Sequence, residues 1–269
     1  MAQPRIQTSV GPLVVETFGD GPPAVLMHSL FVDSGSWSRV LERLAAQRRL
    51  VLITAPGHGQ SGDPGVPYTL TDIAEASLEV LDALGIKGPA DWVGNALGGH
   101  VGIIFAATHP DRCRSLITFG TPVEAPSLAF RLQEAIIAPS RAVFGMSGWL
   151  GQAIVAALLS AHTRQTDPEA VNYVVACLER NEPRAFARAV RCVAIRRPNL
   201  TDALPRIGAP VLLVTGEDHP EWTPGKATAA ARLLRRGSAA VVRHAAYLVP
   251  LEAPDRSAEL IADHWALHP

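Results

Sequence analysis

Few side chains in this sequence are placed to do chemistry. The glycine-rich segment VGNALGGH (93–100) joins a strand-like run to a helix-like one. A turn of that kind presents backbone N–H groups at a helix N-terminus, where they favour negative charge on oxygen. Its central residue is Ala96, whose methyl can neither attack nor take a proton. Two further stretches carry titratable groups. TGEDHPEW (215–222) holds Asp218 and His219, and HAAYLVPLEAP (244–254) holds Tyr247. Imidazole titrates near neutral pH, so His219 is the candidate general base; a loop histidine in solvent is the alternative. Tyr247 could donate a hydrogen bond, pair with His219 or only fill space. Asp218 could orient either of them or be solvated. Cys113, Cys177 and Cys192 have neither metal nor redox spacing. No dinucleotide fingerprint, P-loop or metal-ligand cluster occurs, so neither cofactor nor metal is expected.

These residues need a scaffold, and the composition allows a large one. The chain has 269 residues, 48% hydrophobic and 18% charged, with a net charge of −1. That is globular composition without the basic footprint of a nucleic-acid or membrane-surface protein. Apolar runs such as 153–159 fall far short of a membrane span. The start, MAQPRIQTSVG, lacks an apolar signal-peptide core. A cytoplasmic protein with reduced thiols is the expectation, and a homodimer stays open. Strands are predicted over 5–18 (two, joined by a turn), 24–29, 50–54, 92–94, 115–119, 211–215 and 239–243. Helices are predicted over 34–46, 71–84 (with Asp72 and Glu75 as a capping box), 98–108, 225–235 and 254–266. Strands alternating with helices imply a mostly parallel sheet. From about Pro122 to Pro205 the pattern turns wholly helical, over 127–137, 141–161, 168–180 and 183–196. An α/β core (1–121 and 206–269) with a helical cap (122–205) over the carboxyl edge of the sheet follows, and that edge is where such sheets bind ligands.

Five segments, in order, resemble those of the α/β-hydrolase fold superfamily across nearly the whole chain. VGNALGGH resembles the nucleophile elbow, G-x-S-x-G. VLMHSLFVDSGSW (25–37) resembles the loop that supplies an oxyanion donor. LITAPGHGQSGD (52–63) is similar to the turn after the next strand. PVLLVTGEDHPEWTP (210–224) resembles the segment carrying the catalytic acid, and HAAYLVPLEAP that carrying the catalytic histidine. The G-N-x-L-G-G form of the elbow is also similar to that of carbon–carbon bond hydrolases. The resemblance implies a Ser, acid, His order. Here the nucleophile position is Ala96. The acid position is His219, with Asp218 one residue early. The histidine position, five before Glu252, is Tyr247. One change reads as a knocked-out nucleophile, whereas three read as a triad lost as a unit.

The resemblance also implies what survives. Oxyanion donors are backbone groups, expected at Leu97 and at Leu30 in the loop His28–Phe31, where Ser29 replaces the usual Gly. Asn95 could face the pocket or cap a turn. Glu124, after the strand before the cap, stands where some members carry an alternative acid. His28, His58 and His100 read as structural. Apolar cap residues (Phe130, Leu132, Ile136, Val143, Phe144, Met146, Trp149, Leu150, Ile154) supply core faces and some pocket roof. Arg184, Arg188, Arg191, Arg196 and Arg197 read as a solvated face. The leading expectation is an enzyme acting on a medium-sized, largely apolar carbonyl compound without an acyl-enzyme, using the oxyanion hole with His219 and Tyr247. A catalytically inactive small-molecule binder and a hydrolase carrying a Ser→Ala change are the alternatives.

Overall fold

The computed structural model describes residues 4–128, 131–132 and 149–269. Its eight strands are β1 (Arg5–Thr8), β2 (Gly11–Phe18), β3 (Pro23–Met27), β4 (Arg49–Ile53), β5 (Ala90–Asn95), β6 (Cys113–Phe119), β7 (Val211–Gly216) and β8 (Gly237–Val242). They form one sheet in the order β1-β2-β4-β3-β5-β6-β7-β8. The first two strands run antiparallel to their neighbours, and β3 to β8 are parallel. The middle strands are near-continuous apolar runs because helices cover both faces. Val25, Met27, Val51 and Ile53 face one core, and their alternating neighbours Ala24, Leu26, Leu50 and Leu52 face the other.

Helices α1 (Leu41–Ala45), α2 (Leu70–Ala83) and α3 (Leu97–Thr108) follow β3, β4 and β5 in turn as the pattern requires. The predicted helix over 34–46 is broken into a 3₁₀ turn, Ser34–Trp37, and the short α1. Trp37, Val40 and Leu44 are nevertheless all buried on one side. The capping box of α2 is shifted from the expected one. Thr69 is the N-cap, and its hydroxyl and backbone exchange hydrogen bonds with Asp72. Thr69 is extended, as an N-cap must be, while Glu75 sits within the helix and instead accepts from His109.

Between β6 and β7 lie α4 (Trp149–Leu158), α5 (Ala161–Thr166), α6 (Pro168–Arg180) and α7 (Pro183–Ala189). Pro168 and Pro183 open their helices, where the missing N–H costs nothing. The predicted helix 183–196 is α7 followed by a widened π turn, Val190–Ile195. Polar clasps fix these helices to the core. Asp33 accepts from Tyr173 Oη at 2.7 Å and Arg180 Nη2 at 2.7 Å. Arg39 pairs with Asp167. Of the predicted helices over 127–137 and 141–161, residues 129–130, 133–137 and 141–148, with Phe130, Ile136, Val143, Phe144 and Met146, lie outside the described residues, as do the side chains of Trp149 and Leu150. Ile154 is buried, but Leu132 is 58% exposed and covers nothing. The chain closes with α8 (Pro224–Ala231), α9 (Val249–Glu252) and α10 (Pro254–Leu267).

Candidate active site

The elbow is built by close packing. A side chain on Gly98 would put its Cβ 2.1 Å from the Met27 carbonyl oxygen, and one on Gly94 would meet the Gly98 carbonyl at 2.2 Å. Only glycine lets α3 approach β3 and β5 this closely. The turn between them falls on Ala96, at φ +44 and ψ −99. Such a backbone costs a non-glycine residue roughly 1–3 kcal/mol. Its N–H donates to Phe119 O at 2.8 Å, and Gly98 N–H to His28 O at 3.0 Å. Leu97 is the first residue of α3, so its N–H is among the donors a helix cannot satisfy internally.

The neighbouring loop is pinned by His28. Its Nε2 accepts from Ala55 N at 2.9 Å, which leaves the proton on Nδ1 to donate to Ser29 O at 2.7 Å. Burial lowers the His28 pKa, keeping the ring neutral for this role. The chain then turns through Leu30 and Phe31, the latter at φ +77. Asn181 Nδ2, at the end of α6, reaches Phe31 O at 3.4 Å. His58, with Nδ1 3.0 Å from Pro56 O, and His100, with Nε2 2.9 Å from Pro122 O, are buried structural groups as read.

The other two triad positions converge on the same place but differ in chemistry. His219 is buried, not a solvated loop residue. Its Nδ1 accepts from the N–H of Glu221 at 3.2 Å and Trp222 at 3.0 Å. Nε2 therefore carries the proton; it reaches toward the Gly120 backbone without meeting an acceptor in hydrogen-bond geometry. Burial pushes the pKa down to about 3. A ring with its lone pair committed and its basicity removed is no general base at neutral pH, which corrects that expectation. Its face lies on Tyr247, with ring centroids 3.8 Å apart. Tyr247 Oη donates to Glu221 Oε2 at 3.2 Å.

Several other candidates have structural posts. Asn95 Nδ2 donates to Phe119 O at 3.0 Å and Tyr247 O at 2.8 Å, tying the elbow to the Tyr247 loop. The Asp218 side chain is exposed and orients neither ring; only its N–H is engaged, by Ala245 O at 3.0 Å. Glu124 is half-buried, with Oε2 4.0 Å from Lys226 Nζ. Arg197 is a second correction. It is 6% exposed rather than on a solvated face, and Nη2 donates to Glu124 O at 3.2 Å. Burial lowers its pKa, and Glu221, Tyr247 and Glu124 oppose that shift. Arg184, Arg191 and Arg196 are exposed as read. The three thiols are buried and free; burial pushes Cys113 up to about 12.

Glu252, a landmark in the sequence, turns out to hold the site together. One oxygen accepts from the N–H groups of Ala246 at 2.8 Å and Leu248 at 3.2 Å, either side of Tyr247. The other accepts from Ser160 N at 2.7 Å and Thr163 Oγ1 at 3.0 Å in the inserted helices. Sequence reasoning missed this, as it missed Glu221 and Asp33, because nothing in local spacing marks a long-range partner. Among the described residues no group of three or more His, Cys, Asp or Glu is placed to hold a metal ion, and no helix is long and apolar enough to cross a membrane.

A strained turn between a parallel strand and a glycine-packed helix, facing loops from the next strands, is the arrangement that the alpha/beta hydrolase family model matches over residues 24–260. The chain belongs to the alpha/beta hydrolase family. Over 246 residues it is 23% identical to an (E)-2-((N-methylformamido)methylene)succinate hydrolase from Acinetobacter baylyi, covering 88% of both chains. A pimeloyl-[acyl-carrier protein] methyl ester esterase from Stenotrophomonas maltophilia is 28% identical over 237 residues, covering 86% of this chain and 87% of that one. A thermophilic esterase from Thermogutta terrifontis, solved with malate bound, superposes with a TM-score of 0.90 at 25% identity over the whole of both chains. An enol-lactonase from Burkholderia xenovorans has a TM-score of 0.88 at 23% identity, covering 98% of this chain and 100% of its own, and shows the same fold. These four relatives are named as a hydrolase, two esterases and a lactonase.

Proposed function

We propose that this protein acts on a medium-sized, largely apolar carbonyl compound held at the elbow beneath the inserted helices, without forming an acyl-enzyme. The observation that carries the reading is Ala96. It keeps a strained elbow backbone although its side chain has no nucleophile to present. That backbone leaves the Leu97 N–H at the head of α3, beside the His28-pinned loop that would bring the Leu30 N–H. Two such donors stabilise an oxyanion or enolate in a water-poor site. Tyr247, linked to Glu221, is the proton donor in this scheme, and His219 serves as its neutral support. Proton transfer, carbon–carbon bond cleavage or cyclisation fits this set; attack by a side chain does not. The relatives' names, a substituted succinate, a methyl ester and an enol-lactone, favour a carbonyl substrate. A cap over residues 122–205 would roof the ligand.

A second reading, a binder that has lost catalysis, is favoured by the committed His219 lone pair. Incubating the purified protein with a metabolite extract of its source organism and following masses separates the two. A compound consumed as a product rises, at a rate cut at least 100-fold in Tyr247→Phe, supports the enzyme; a general acid contributes about 10²–10⁴. A compound retained on the protein and released unchanged supports the binder. Turnover unaffected by Tyr247→Phe would sink the role given to that residue.

A further inference from the structure

We propose that a groove at the opposite, amino-terminal edge of β7 and β8 is a binding site for a phosphate group, free or carried by a small molecule. The groove encloses about 420 Å³ and is lined by Arg232, Arg235, Arg236, His264 and His268. Its construction follows from the sequence ARLLRR (231–236), which leaves α8 through a series of turns. Ala231 and Leu234 are buried and anchor the segment, while Arg232, Arg235 and Arg236 beside them stay exposed. Val211 N–H bonds to Arg236 O at 2.9 Å and so fixes the segment to the start of β7.

The charge here is unbalanced in a chain whose net charge is −1. Arg39, Arg48, Arg114, Arg180 and Arg188 each have a carboxylate partner. Among the described residues, Arg232, Arg235 and Arg236 form no ion pair; Arg236 Nη2 instead stands 3.5 Å from His268 Nδ1. The carboxylate whose field His264 feels is Asp91. It is already saturated by Arg48 at 2.9 Å, Arg114 at 3.0 Å and Ser115 at 2.7 Å. The C-terminal carbonyls of α8 attract cations, but that effect is worth only about 0.3–1 kcal/mol and is confined to the last turn.

A second observation is independent of the arginines. His264 is 6% exposed, and its buried Nε2 has no partner in hydrogen-bond geometry among the described residues, although the ring stands close enough to the Pro210 backbone for that group to raise its pKa. An unsatisfied buried nitrogen calls for a ligand, a water or a strain to explain it. Burial holds this ring down to about 4, so it enters at neutral pH as an uncharged donor or acceptor, with the His268 ring 4.8 Å away. Guanidinium forks match the oxygens of phosphate in a way ammonium groups do not. Three of them with two imidazoles suit a multiply charged, compact anion, and the concave shape suits a small ligand over a duplex or a flat protein surface.

Inorganic pyrophosphate titrated into the full chain at constant ionic strength, followed by calorimetry and by the histidine C2–H resonances, tests this. The expected result is saturable binding at one site, a shift of the His264 and His268 resonances, and affinity weakened at least about tenfold in Arg235→Gln/Arg236→Gln, in line with loss of charge-assisted bonds. Those exposed substitutions leave the fold intact, which circular dichroism checks, and His264→Asn gives a second reading of the same site. Tighter binding of a phosphate monoester such as glycerol 3-phosphate than of inorganic phosphate would identify a carried group; the reverse would identify the free ion. Absence of saturation, or equal affinity in the double variant, would overturn the proposal.

Discussion

The two halves of this site have met different fates. The half made of backbone, the turn at Ala96 with the loop 28–31, keeps the geometry that orients amide donors. The half made of side chains, the loops after β7 and β8, carries His219 and Tyr247 where the resemblance implies an acid and a histidine. It still carries order: His219 knots its own loop through two N–H groups and packs on Tyr247, whose loop Asn95 and Glu252 hold from both sides. The difference shows that a loop can be held by many partners whatever chemistry its side chains carry. Backbone function is also more durable than side-chain function, because any residue type supplies an N–H whereas only a few supply a nucleophile or base.

The sharpest way to break this comparison is to attack the backbone half. Gly98→Ala would drive a methyl to 2.1 Å from Met27 O. Neither strand nor helix backbone can yield cheaply there, so a loss of about 3 kcal/mol or more, or failure to fold, is expected. Urea unfolding measures it, and a loss under 1 kcal/mol would mean that the elbow is not held by this contact.

Acid probes the side-chain half. His219 and His58 are held at about 3 and His264 at about 4, below the ordinary histidine value of 6.5, by burial. Each stays neutral in the folded chain while its unfolded counterpart takes up a proton below about 6.5. Stability is therefore intact above 6.5 and falls as pH drops from there toward 4 and 3. The slope reaches about 1.4 kcal/mol per pH unit for each such histidine. Urea midpoints between pH 7 and 5 should decline, and His219→Gln should flatten the decline. A midpoint that does not move over that range would show that these rings are not buried neutral.

The smallest effect is expected where the two halves meet. Ala96→Ser supplies a hydroxyl to a site whose His219 has its Nδ1 lone pair already taken. Hydrolysis of p-nitrophenyl acetate should stay within about tenfold of the parent protein, because a serine without its base loses most of the roughly 10⁶ that a triad supplies. A large gain in esterase rate would instead mean that a base lies within reach and that only the nucleophile is missing.

Much of the scaffold was legible along the chain. Apolar runs marked β3, β4, β6 and β7, the last three ending at Gly or Pro, and Pro168 and Pro183 marked helix starts, because strand patterning and helix capping are local rules. The elbow was legible for the same reason: VGNALGGH places small residues where strand, turn and helix must touch. Legibility ended at long-range partners. Local spacing put Asp72 at the head of α2, and the extended backbone of Thr69 moved the cap three residues earlier. The arginine run looked solvated, and tertiary packing buried Arg197 against Glu124 O. His219 looked like a base by its residue type alone.

The sequence by itself determined the alpha/beta hydrolase family and which residues, Ala96, His219 and Tyr247, stand where the resemblance implies a Ser-acid-His triad, since composition, order of motifs and residue identities are written in it. Tertiary structure alone decided what those replacements do. Whether an imidazole is a base or a strut depends on which groups, brought from other positions in the chain, take its lone pair and exclude its water, and neither can be read from residue type or spacing.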